Sequence, residues 1–166
     1  MLEITAAAAG IAALKNIIDI VDKVGDKWLR YKETGLLTNT APQQHSMQIV
    51  VAADQSQITA HFGSAPLKTV TRDELANMLS ADDLRHLEAI EERMRLIAER
   101  WDNQTKIIEL EINERTKFIY EQQLRRDEKS LASVLVQALN FIQRCNFILD
   151  DHYHRMHDIA ARTAAS

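Results

Sequence analysis

Turn-forming residues are scarce in this chain. Its 166 residues include four glycines and two prolines, which leaves little of the chemistry that tight turns demand and favours long, uninterrupted elements. Cysteine occurs once, at Cys145, so no internal disulfide forms and a reducing, cytoplasmic setting is expected. Positive charge is not in excess: 20 Lys and Arg stand against 24 Asp and Glu. A dedicated nucleic-acid binder needs clustered cations to neutralise phosphates, so no nucleic-acid partner is expected. No Gly-rich phosphate loop and no Gly-x-Ser-x-Gly elbow occurs. The uncharged stretch near the start, residues 4–14, is eleven positions long, short of the about 20 that a spanning helix needs. Only Glu3 is charged ahead of it, whereas a secretory leader carries basic residues there, and none is expected.

What the chain does have is helical periodicity. Ile4, Ala7, Ile11, Leu14, Ile18, Val21, Gly25 and Trp28 recur in alternating steps of three and four, one stripe of a helix over residues 4–32. Lys15, Asp19, Asp22, Lys23, Asp26 and Arg30 fall opposite, as a solvated face of mixed sign. TNTAPQQHS then reads as a loop. MQIVVAADQSQITAHF switches to a period of two, a hairpin turning at DQS.

Thr71 with Glu74 three residues on forms a capping-box pattern, opening a short helix to about Met78. Ser80, followed by Asp82 and Asp83, opens the next, with acids where the helix dipole favours them. From there to about Arg125 no Gly or Pro intervenes. A seam of Leu87, Ile90, Met94, Ile97 and Trp101 weakens across DNQTK and resumes beyond it. RRDEKS reads as the turn and Ser130 as the cap of a last helix reaching Ile159. That helix is apolar on so many sides that it is expected at the centre, antiparallel to the one before it.

The expected fold is therefore mainly α: an antiparallel helical bundle with long coiled-coil-like helices and one inserted β-hairpin. It forms a single domain. Residues 1–33 are the N-terminal helix, 34–70 the loop plus hairpin, and 71–166 the short helix and long helical hairpin.

The stretch DDHYHRMHD raises the question of chemistry. Asp150, His154 and Asp158 are four apart with His157 adjoining, a grouping of carboxylates and imidazoles that can hold Zn²⁺ or another divalent ion. A further ligand would have to come from another helix, with Glu99 and Asp102 as the candidates. The alternative is a solvated surface on which Asp and His pair at helical spacing. His152 falls instead on the apolar seam, where it needs a hydrogen-bond partner. Cys145 has no adjacent base and reads as a core thiol. No catalytic residue, metal or other cofactor is assigned.

Function is expected to follow from shape. The favoured reading is a non-enzymatic interaction module that self-associates or docks a protein partner along its helices. Ile4, Ala7, Gly10, Ile11, Leu14, Trp28 and Trp101 are its candidate interaction residues. A second reading is a membrane-perturbing effector, of pore-forming or cell-death type, entering a bilayer through residues 1–24. A third is a metal-dependent helical hydrolase.

Overall fold

The computed structural model describes residues 4–35, 47–52, 56–62 and 68–166. The chain opens with α1 (Ile4–Ile20), passes through a π-helical turn (Val21–Gly25) and continues as α2 (Asp26–Thr34). Gly35 ends this run at φ 74°, where its N–H reaches the Tyr31 carbonyl at 2.8 Å. Such a left-handed closing residue carries a steric penalty for any side chain but glycine's. The expected TNTAPQQHS loop lies outside the described residues.

The hairpin forms where the period-two pattern placed it, between β1 (Met47–Val51) and β2 (Gln57–Phe62). Its expected DQS turn lies partly outside the described residues. The structure adds β3 (Lys68–Thr71), which pairs antiparallel with β2 and makes the order β1-β2-β3. Four residues are too short a run to stand out as a strand. Ile58, Ala60 and Val70 turn to the core, so one sheet face is buried on the helices, as so small a sheet requires.

Four helices complete the chain: α3 (Arg72–Met78), α4 (Ala81–Leu110), α5 (Glu114–Arg144) and α6 (Asp151–Ala165). Thr71 caps α3, its side chain accepting from Glu74 N–H. Ser80 and Asp83 cap α4 reciprocally, at 3.1 and 2.9 Å. Both starts match the expectation.

Two boundaries do not. The helix from Ser80 ends at Leu110, not near Arg125, and RRDEKS lies inside α5 rather than in a turn. Asn113 makes the break, its side-chain oxygen accepting from the N–H groups of Arg115 and Thr116 at 3.0 and 3.1 Å. Two acids of RRDEKS are meanwhile held inward. Asp127 accepts from Gln104 and pairs with Arg100, and Glu128 accepts from Trp28 and pairs with Lys32. Polarity there serves packing, not a turn.

The last helix is also two. α5 closes at Cys145, Asn146 takes φ 67°, and Asp150 caps α6 by accepting from Tyr153 N–H. The chain thus doubles back after Cys145, with His157 bonded to Asn140 across α5 and α6 at 2.8 Å.

The centre sits where the seam placed it. Leu131, Val134, Leu135, Ala138, Leu139 and Ile142 of α5 are buried, as are Trp28 and Trp101. α4 and α5 are antiparallel, tied by Arg144–Asp83 near their far ends and Gln104–Asp127 near the turn. α1 and α2 run parallel to α4, since Asn16 meets Glu91 and Lys27 meets Thr105. Among the described residues, no helix is long and apolar enough to cross a membrane.

Candidate functional site

Two places carry side chains whose position calls for a chemical account. The first is the π-turn. Its extra residue per turn rotates the helix beyond it, so Asp26, expected on the solvated face, is buried. It accepts from Arg30 at 2.8 Å and from His152 Nε2 at 3.0 Å. One turn earlier, Asp22 accepts from the Tyr153 hydroxyl at 3.1 Å. Burial first, and then the neighbouring Asp22 carboxylate, hold the Tyr153 phenol protonated well above its ordinary range.

This cluster fastens the π-turn to the start of α6. A general base has to reach a proton on a substrate; here the facing atoms of Asp26 and His152 are used on each other, below the surface. π-turns often sit at functional sites, and this one works as a fastening. The expectation that His152 finds a partner is met. That the partner would be Asp26 carried no sequence signal, because it depends on the π-turn.

The expected metal ligands are dispersed. Asp150 is the buried cap of α6, His154 and Asp158 are exposed, and His157 bonds to Asn140. Asp102 pairs with Lys27 and Lys106, and Glu99 faces solvent. Among the described residues no group of three or more His, Cys, Asp or Glu is placed to hold a metal ion. Cys145 is buried and its thiol is pushed up to about 12, chiefly by desolvation. That keeps it a packing group, since the thiolate is the nucleophile.

Of the expected interaction residues, Gly10, Ile11, Leu14, Trp28 and Trp101 are all buried within the chain itself. They serve self-burial in this state, because neighbouring elements of the bundle cover them. Ile4 and Ala7 belong to α1, but their side chains lie outside the described residues.

The second place is the free end of the α4–α5 hairpin. Lys27, near the start of α2, reaches Asp102, Thr105 and Glu109 of α4. Closer to the turn, large apolar side chains of the hairpin are exposed. Leu110 is 82% exposed, Ile112 92%, Phe118 59% and Ile119 51%. The turn holding them is well defined: Glu111 accepts from Asn113 N–H, and Asn113 caps α5. Four large apolar side chains at one tip form the kind of concentrated patch that marks a contact surface, whereas scattered exposed leucines need no explanation. The Ile108–Ile112–Ile119 continuation of the seam is its signal in the sequence, where periodicity alone reads as core.

No family model, curated protein or solved structure matches this chain.

Proposed function

We propose that this protein is a helical interaction module that works without catalysis, docking a partner or another copy through the free end of its α4–α5 hairpin. One observation carries the reading: Leu110, Ile112, Phe118 and Ile119 are all exposed at the end of the hairpin, on and beside a capped turn. Burying one such side chain is worth about 1.5–3 kcal/mol, so a patch of four is a sufficient anchor for a specific contact. Preorganisation adds to this, because helix ends fixed by caps lose little freedom on binding.

The experiment compares the intact chain with a Leu110→Gln, Ile112→Gln variant, altered at two solvent-facing positions. Light scattering over a concentration series and a pull-down are read for both. The expected result is a mass above the monomer, or a retained partner, for the unaltered chain and its loss in the variant. A strict monomer that retains nothing overturns the proposal.

A further inference from the structure

The hairpin tip continues along the outside of α5 as a face of one chemical kind. Arg115, Phe118, Ile119, Arg125, Arg126 and Lys129 recur at steps of three, four and seven and lie on one side of the helix. All six are exposed. The acids of the same stretch lie elsewhere: Glu114 and Glu121 flank the face, while Asp127 and Glu128 turn inward to their pairs. Among the described residues none of the four cations forms an ion pair. At 1.5 Å per residue the face is about 21 Å long.

A second surface has the opposite character. α1 and α4 leave a groove of about 450 Å³ between them, with Ala9, Ala12 and Ala13 along its floor and Glu88, Glu91 and Glu92 on its wall. Glu91 is engaged by Asn16, whereas Glu88 and Glu92 are exposed and form no ion pair among the described residues. Among the described residues that line the groove, Arg95 is the one cation. Glu99, exposed as well, extends the acidic wall to about 17 Å from Glu88. The alanine floor leaves room for side chains as large as Phe118 and Ile119.

We infer that the cationic, apolar face of α5 docks in the acidic α1–α4 groove of a second copy of this chain. Length, charge and shape complement each other across the two surfaces. One chain cannot satisfy both within itself, because the face lies on the side of α5 opposite the buried Leu124 and Leu131, whereas the groove lies between α1 and α4. The contact is head to tail, so each added copy leaves a free groove at one end and a free face at the other. Such assemblies grow until the rotation closes a ring. This inference rests on the reading that the hairpin end serves association, and it names the partner and the two surfaces that meet.

Charge reversal tests it on the intact protein by sedimentation velocity over a concentration series. The unaltered chain is expected to associate, less so as salt is raised and exposed charges are screened. Arg125→Glu with Arg126→Glu, and separately Glu88→Lys with Glu92→Lys, should each weaken association by about tenfold or more. Mixing the two variants should restore it, a rescue that misfolded chains cannot give. An unaltered chain that stays monomeric overturns the inference. So does association that neither reversal disturbs, which leaves docking through the apolar tip standing. Phosphatidylserine vesicles provide the remaining arm: a monomer that sediments with them, and ceases to when Arg125 and Arg126 are reversed, assigns the face to an anionic bilayer and also overturns it.

Discussion

Gly10 and Gly25 lie on the same N-terminal run and differ in what surrounds them. A methyl group added at Gly10 meets Leu84, Leu75 and Leu79 at 3.5–3.7 Å, an ordinary contact. At Gly25 it meets Met156 Sδ at 3.0 Å and Leu135 Cδ2 at 3.2 Å, so neighbours on α5 and α6 must give way. The glycine needed for close approach is therefore the one in the π-turn, and Gly10 carries no such requirement. Gly10→Ala should be neutral or stabilise by up to about 1 kcal/mol through helix propensity. Gly25→Ala should be less favourable than Gly10→Ala by about 1–2 kcal/mol, because overpacking against Met156 and Leu135 opposes the same propensity gain. Urea denaturation of the two variants beside the unaltered chain reads both, and equal midpoints would refute the distinction.

Element boundaries show what local sequence can specify. Thr71 and Ser80 announce helix starts because a cap acts over three residues, and the structure keeps both. Asn113 is a cap of the same type, followed at once by Glu114. It is legible in principle but hidden by helix-forming residues on both sides and the absence of Gly or Pro. The Cys145–Asp150 turn has the same character, with Asn146 and Asp150 as its only local signals. The π-turn left no local trace at all, since the burial of Asp26 depends on Arg30 and on His152 from far along the chain.

Caps also set a pH dependence. The Asp83 carboxyl is held below its ordinary value by the Ser80 N–H first, with Arg144 assisting against a desolvation effect of opposite sign. The folded carboxyl thus releases its proton more readily than the unfolded one. Its contribution is complete above the unfolded value near 3.8 and disappears as pH falls through the lower folded one. Asp83→Asn should flatten the loss of stability on acidification below about pH 4, measured by thermal melts across pH. A variant as acid-sensitive as the unaltered chain would contradict this. Asn113→Ala should cost about 1 kcal/mol at neutral pH, read by urea denaturation.

At the scale of the whole molecule, burial is graded from one end of the long hairpin to the other. Leu131, Leu135, Leu139 and Ile142 of α5 are fully buried, whereas Leu110, Ile112, Phe118 and Ile119 at the hairpin end are exposed. Amide hydrogens in the first should exchange only by global unfolding, and those near the tip orders of magnitude faster. Mass spectrometry of exchanged peptides checks this. Protection at the tip that rises with protein concentration would place the association surface there directly. The mainly helical bundle and its central α5 seam were legible because periodicity reports burial. The exposed tip was not, because Ile112 and Ile119 keep the apolar periodicity of a core seam although they are exposed.

The parallel alignment of the first helix with α4 bears on how the chain is made. Apart from the π-turn that continues it, the elements packed against α1 are all encoded well after it: β1, α3, α4 and α5. The hairpins of α4, α5 and α6 join near neighbours and can assemble as soon as they are synthesised, while α1 is fully covered only once β1, α3 and finally α4 and α5 have followed, the Asn16–Glu91 contact spanning more than seventy residues. During that interval Ile11, Leu14, Ile17 and Ile18 stand open on a nascent helix. The step at which this fold is most exposed to going astray is therefore the late docking of α1.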